Sequence, residues 1–276
     1  MKSERKGGRQ FGKFHKLTGR GVILLGIMIF LAVIVPLSSP FNITAQNPDL
    51  RNAGSSFVHL FGTDKFGRDI FVRVWSGTRI SLLVGVGSAV IIGITGVLAG
   101  CVAGYAQGIV DMLVMRLGDI LDAIPSLLYV ILIMLVRGAN VGSILLGISI
   151  SGWVELARIV RGEVIRIKAR EFCIASRLVG AGPARMFWRH LLPNAVGPII
   201  ANLTFTVPKA IFMEAFLSFV GVGISAPQVS LGTMIQEAQT QMQIYPTQML
   251  YPIIVLCGLI LALNLIGAGL EKSIDR

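Results

Sequence analysis

The residues Ile80–Gly104, ISLLVGVGSAVIIGITGVLAGCVAG, form 25 consecutive positions without a charged side chain. At 1.5 Å per residue, a helix of this length spans the roughly 30 Å hydrocarbon core of a bilayer. A water-soluble fold would have to bury the whole run, whereas a membrane accommodates it. The glycines in the run predict close packing of this helix against other helices.

Five more apolar runs lie on either side of this stretch, at residues 22–37, 117–136, 141–156, 195–222 and 250–270. Charged residues make up only 14% of the 276-residue chain, compared with roughly 25% in an average soluble domain. We therefore predict an all-α, polytopic membrane protein with six transmembrane helices. The first run follows a basic segment, as in a signal peptide, but no small-residue cleavage site follows it. A retained first helix is therefore favoured.

The basic residues are unevenly distributed between the connecting segments. One set of alternate segments holds 18 Lys and Arg residues and the other set holds six. The positive-inside rule therefore predicts that both termini are cytoplasmic. The net charge of +11 could also indicate nucleic-acid binding, but the basic residues lie between apolar runs and form no nucleic-acid-binding motif. We expect contact with lipid and none with nucleic acid.

The predicted organisation has five parts. A basic cytoplasmic segment (1–20) and the first transmembrane helix (21–38) are followed by an extracytoplasmic segment (39–79), a five-helix core (80–270) and a cytoplasmic tail (271–276). The core contains a cytoplasmic loop at 157–193 with eight basic residues. It also contains an outer loop at 223–249, in which Glu237 is the one charged residue.

The sequence indicates no catalytic centre and no metal site. The three histidines and three cysteines are isolated, and no nucleotide-binding motif with the required residues occurs. The predictions are therefore no catalytic residue, no metal ligand and no cofactor bound by this chain. Any use of ATP has to occur on another polypeptide.

Four polar residues in or near the apolar runs are candidates for the translocation path. Burying a charge in a membrane costs several kcal/mol unless the charge is paired or hydrated. For the two aspartates, a position at the cytoplasmic interface near Arg116 is an alternative. For the glutamate, a structural ion pair or hydrogen bond is an alternative to contact with a substrate. The four residues are Asp119, Asp122, Glu214 and Ser218.

The loop at 157–193 is long for a connection within a helical bundle. Glu171 to Val179 predicts a short helix, which Gly180 and the Gly182-Pro183 pair terminate. A second short amphipathic stretch, 184–192, ends at Pro193. An isolated surface helix with an apolar stripe indicates a groove on a partner protein.

This loop resembles the EAA loop of binding-protein-dependent ABC importer permeases. The resemblance rests on the order and spacing of six residues, although Ile174 stands at the position of the family's glutamate. By this resemblance, the segment 171–193 docks into a cleft on a separate ATPase. The residues assigned to coupling are Glu171, Ile174, Ala175, Ser176, Gly180, Leu192 and Pro193.

A second motif, LFGTDKFGRD at 60–69, is similar to the signature of the C-type permease subunit of dipeptide, oligopeptide and nickel importers. Further similar stretches occur at 119–125, 189–194 and 214–223, in the same order as in that group. The resemblance covers nearly the whole chain from Val22 onward. The signature residues expected on the extracytoplasmic side are Gly62, Thr63, Asp64, Gly67, Arg68 and Asp69.

The resemblance implies a type I ABC importer permease in a bacterial inner membrane. It implies a homologous permease subunit, two ATPases carrying ATP and Mg²⁺, and an extracytoplasmic solute-binding protein as partners. Di- and oligopeptides are the expected substrates, and nickel is the alternative within the family. A stand-alone channel or secondary transporter is the alternative from a different class, although no internal repeat is evident.

Overall fold

The computed structural model describes residues 2–225 and 227–274, with side chains from 18 to 225 and from 227 to 273. Side chains of the predicted basic segment up to residue 17, and the last two residues of the predicted tail, lie outside the described part. The described residues form helices and connecting loops, with no strand. The helices are α1 (Lys2–Ser38), α2 (Ile70–Ala106), α3 (Gly108–Asp122), α4 (Ser126–Arg137), α5 (Val141–Lys168), α6 (Glu171–Leu178), α7 (Pro183–Met186), α8 (Leu192–Phe219), α9 (Leu231–Gln239) and α10 (Pro246–Ile274).

Five helical segments among the described residues are long and apolar enough to cross a membrane: 18–38, 70–106, 141–168, 183–219 and 246–273. A sixth candidate consists of α3 and α4, which are bent by 78° at a short break. The third predicted span, 117–136, is therefore broken into two helices in the structure and is not a single helix. Pro125 disfavours helical backbone at the residue before it, and α4 begins immediately after it. The number of crossings and the location of the termini remain predictions.

The second apolar helix begins at Ile70, ten residues before the predicted start. Asp69 caps it, because its carboxylate accepts a hydrogen bond of 2.8 Å from the Val72 N–H. Arg73 interrupts the hydropathy of this turn and conceals its helical character in the sequence. The guanidinium is buried and paired with acidic side chains, so it is compatible with the first turn of a membrane helix.

The fourth span continues to Lys168, twelve residues beyond the predicted end at 156. The prediction of a loop beginning at 157 therefore differs from the structure. Ala157, Val160 and Val164 recur at helical spacing, and all three are buried. This apolar face keeps the chain helical although the opposite face is rich in arginine.

The two long helices α2 and α5 pack through a stripe of small residues. A Cβ on Gly96 would lie 2.9 Å from the Trp153 carbonyl oxygen, and one on Gly100 would lie 2.5 Å from the Ala157 carbonyl oxygen. A side chain at either position would push the backbones apart. The spacing of four residues places these glycines on one face, as in other closely packed membrane helices. The predicted role of the glycines in helix packing is confirmed.

Candidate functional site

The signature motif 60–69 forms a compact turn immediately before α2. Gly67 has φ +75°, and a Cβ there would lie 1.8 Å from the Asn47 carbonyl oxygen. Gly62 has φ +73°, and a Cβ there would lie 2.4 Å from the Ala53 carbonyl oxygen. Both positions therefore require glycine, because the left-handed conformation and the close backbone approach exclude a side chain.

The polar residues of the motif hold this turn together. Thr63 Oγ1 donates to the Leu50 carbonyl oxygen and accepts from the Ala53 N–H at 2.9 Å. Asp64 Oδ1 accepts hydrogen bonds from the backbone N–H groups of Phe66 (2.8 Å) and Arg68 (3.0 Å). Asp69 is the cap of α2 described above. The structural roles of these residues explain why the motif needs them at this spacing.

Two arginines and two acids form a closed ion cluster at this end of the protein. Asp64 Oδ2 accepts from Arg68 Nε (2.7 Å) and Arg73 Nη1 (3.0 Å). Glu237 Oε2 accepts from Arg68 Nη2 (2.6 Å) and Arg73 Nη2 (2.8 Å). The side chain of Arg73 is 1% exposed. The cluster therefore joins the signature turn, the first turn of α2 and the short helix α9.

In the sequence, Glu237 is an isolated charge, and its partners lie more than 160 residues away. Burial raises the pKa of the Glu237 carboxyl group, and the Arg68 guanidinium opposes this increase. The sequence motifs do not include Arg73 either. The sequence feature that could indicate a role for Arg73 is its charge, which follows the motif in a stretch that is otherwise largely apolar.

A second polar cluster lies between α2 and α8. Glu214 is fully buried, and its carboxylate accepts hydrogen bonds from Ser81 Oγ (2.9 Å) and Ser218 Oγ (2.8 Å). Ser230, the cap of α9, lies 3.4 Å from Ser218. The structure thus brings together two of the four predicted intramembrane residues. Hydroxyl groups surround Glu214, whereas Lys209 pairs with Glu155 on an exposed surface.

Asp119 and Asp122 lie at the end of α3 and face α5. Arg158 binds Asp122 at 2.7 Å and Asp119 at 3.1 Å. Arg116 is 3.7 Å from Asp119 and makes a weaker contact. All four side chains are at least 39% exposed. The pair therefore lies at the surface of this single chain and away from Glu214.

The predicted coupling segment presents an exposed apolar surface. Leu178 is 84% exposed and Val179 is 87% exposed at the end of α6, whereas Cys173 is fully buried and anchors the helix. Ile174 and Phe172 are also exposed. Together, these four exposed side chains are called the α6 surface below. Large apolar groups concentrated in this way on a loop indicate contact with a partner.

Gly180 terminates α6 with φ +85°, and its N–H donates to the Arg177 carbonyl oxygen at 2.9 Å. Ser176 Oγ lies 3.1 Å from His190 Nε2 and ties α6 to the next segment. The predicted second surface helix does not end at Pro193. A π-helical turn, Phe187–Leu191, leads directly into α8, and Pro193 occupies the first turn of α8, where its missing N–H costs nothing.

These features define a class of protein: a helical membrane protein with an apolar loop surface at one end and a buried polar cluster between its helices. The fold resembles solved ABC importers. For the MetNI methionine ABC transporter in inward facing conformations, the TM-score is 0.59 at 19% identity, over 74% of this chain and 97% of that chain. For an amino acid ABC transporter with histidines, the TM-score is 0.55 at 16% identity, over 72% and 93% of the two chains. The predicted permease fold is confirmed.

The chain belongs to the family of binding-protein-dependent transport system inner membrane components, whose model matches residues 96–276. It is 40% identical to the oligopeptide transport system permease protein OppC of Bacillus subtilis, over 95% of this chain and 86% of that protein. It is 42% identical to the dipeptide transport system permease protein DppC of the same organism, over 95% and 82% of the two chains. The chain is therefore a multi-pass protein of a bacterial inner membrane, and the predicted resemblance to C-type permease subunits is confirmed.

Proposed function

We propose that this chain forms half of the translocation path of an ATP-driven importer of di- and oligopeptides. The proposal is carried by one observation, the 40–42% identity to oligopeptide and dipeptide permeases over 95% of the chain. The identity to peptide permeases does not favour the two alternatives, a nickel importer and a stand-alone transporter.

We further propose the partners. A homologous permease subunit completes the path, two ATPases bind ATP and Mg²⁺, and an extracytoplasmic solute-binding protein delivers the peptide. The α6 surface is the contact to an ATPase. Its large exposed apolar side chains lose unfavourable contact with water when they enter a groove, which stabilises the complex. Gly180 and the π-helical turn then connect movement of α6 to α8.

Purified complex in proteoliposomes tests this function. We expect ATP-dependent uptake of a labelled tripeptide and no uptake of isotopic nickel. Uptake by this chain alone without ATP would support a channel or secondary transporter instead. Preferential uptake of nickel would support the metal importer.

A matched pair of variants tests the α6 surface. Val179→Asp places a charge on that surface and should reduce peptide-stimulated ATP hydrolysis at least tenfold. Ile244→Asp is the control, because Ile244 is also a highly exposed β-branched apolar residue (74%), in the loop before α10. Equal effects of the two substitutions would contradict a specific role for the α6 surface.

A further inference from the structure

A polar cleft lies beside the ion cluster, at the end of the bundle that is predicted to be extracytoplasmic. Its volume is about 480 Å³, within the roughly 300–1,000 Å³ of small-molecule sites. The end of α8, helix α9 and the segment before the signature turn form its walls. The polar side chains that line it include those of Gln46, Arg68, Ser218, Gln228, Gln236 and Glu237.

The hydrogen-bonding capacity of this cleft is largely unused. Both arginines of the ion cluster bind Glu237 through Oε2. Oε1 of the same carboxylate makes no hydrogen bond with any residue that the structure describes. The side-chain amides of Gln46, Gln228 and Gln236 also make no hydrogen bond with the residues whose side chains are described, 18–225 and 227–273. The cleft therefore offers one carboxylate oxygen that is free to accept, on a glutamate whose charge is balanced within the ion cluster, and three amide groups that can each donate and accept.

The floor of the cleft leads into the helix bundle. Ser218 lines the cleft, and its hydroxyl donates to the buried carboxylate of Glu214 at 2.8 Å. A molecule in the cleft would thus lie directly above the polar cluster between α2 and α8.

We propose that the cleft is a binding subsite for the amino-terminal end of the transported peptide, an inference that rests on the proposed function. Glu237 Oε1 accepts a hydrogen bond from the α-ammonium group. The glutamine amides bind the peptide's main-chain N–H and C=O groups. Every unblocked peptide carries these groups whatever its side chains, so the subsite accepts peptides of different sequence.

Protection of a cysteine from labelling tests the subsite in the complete transporter. Gln236→Cys places a thiol in the cleft, and Gln239→Cys places one on the same helix outside it; both glutamines are exposed. A membrane-impermeant maleimide labels each variant with and without millimolar trialanine, in the absence of binding protein. We expect trialanine to slow labelling of Gln236→Cys at least fivefold and to leave Gln239→Cys unchanged. The parent chain, with its three native cysteines, provides the background rate.

Blocking the peptide's amino group tests the role of Glu237. N-acetyl-trialanine should protect at least tenfold more weakly than trialanine. Adding Glu237→Gln to Gln236→Cys should abolish this difference between the two peptides. Adding Asp64→Asn instead should preserve it, because that change removes an acid from the same ion cluster while retaining Glu237 Oε1.

Two outcomes would overturn the subsite. The first is equal labelling of Gln236→Cys with and without trialanine, in a transporter that still takes up peptide with ATP; this leaves the proposed function intact. The second is equal protection by the free and the acetylated peptide. If ATP-dependent peptide uptake is itself absent, the proposed function fails first, and the uptake assay shows this separately.

Discussion

Replacing Arg73 by methionine should release the signature turn from α2 and α9. Methionine keeps the length and much of the volume of the side chain but removes its charge. The change leaves Asp64 and Glu237 with Arg68 as their shared partner, so the cluster carries an uncompensated negative charge. Both donors of Arg73 lie within 3.0 Å of a carboxylate oxygen, and its side chain is 1% exposed.

The expected cost is about 3 kcal/mol, the lower end of the range for breaking a buried ion pair. Two observations favour the lower end. The side chain of Glu237 is 31% exposed, so water can solvate part of the charge that remains. Arg73 Nε is also buried without a hydrogen-bond partner, and its removal recovers part of the loss.

Hydrogen–deuterium exchange of peptides covering residues 47–69 measures the effect. A loss of about 3 kcal/mol raises the opening equilibrium, and hence the exchange rate, roughly 100-fold. Exchange within α5 should remain unchanged. Arg79→Met is the matched control, because Arg79 lies on the same helix, is exposed and belongs to no ion pair among residues 18–225 and 227–273.

A second variant tests whether charge balance is the cause. Arg73→Met combined with Asp64→Asn restores a neutral cluster and should recover at least a third of the lost protection. The reasoning is refuted if Arg73→Met leaves exchange at 47–69 within twofold of the parent chain. It is equally refuted if Arg79→Met has the same effect.

Three further predictions concern single positions. Gly67→Ala should destabilise the outer segment by about 1–3 kcal/mol or more, because 1–3 kcal/mol is the usual cost of a strained backbone. Thermal unfolding in detergent measures this effect. Gly54→Ala is the control and should be neutral, because a Cβ at Gly54 has open space around it. Glu214→Leu should lower the unfolding temperature more than Glu214→Gln, because leucine leaves two buried hydroxyls without an acceptor, at a cost of about 1–3 kcal/mol each. Gly180→Ala should strain the end of α6 by about 1–2 kcal/mol and reduce stimulation of the ATPase. Gly182→Ala should have little effect, because Gly182 has φ −71°. A larger loss of stimulation in Gly182→Ala than in Gly180→Ala would contradict the role of Gly180.

Much of the fold follows from local properties of the chain. The apolar runs identify most of the spans because hydropathy over about 20 residues reflects the cost of leaving a segment in lipid. The end of α6 at Gly180 could be predicted because it depends on the local backbone. The glycines of α2 indicated close helix packing, but the sequence did not identify α5 as the partner helix. The predicted start of α2 was wrong because Arg73 lowers the local hydropathy, and the predicted end of α5 was wrong because the arginines after Leu156 do the same. One face of each helix is nevertheless buried in these turns.

The candidate sites divide in a similar way. The sequence indicated the coupling segment and the signature motif because their residues are adjacent along the chain. It could not indicate that Glu237 pairs with Arg68 and Arg73, or that Ser81 and Ser218 share Glu214.

The sequence by itself determined that this chain is a helical membrane permease with a basic, partly apolar loop. The tertiary structure decided which charges are paired, where α2 begins, and that Glu237, with one carboxylate oxygen outside the ion pairs, lines a polar cleft. The physical reason is the distance along the chain over which each interaction acts. Hydropathy and backbone conformation act over a few residues, whereas ion pairs and cavities depend on segments that only folding brings within 3 Å of each other.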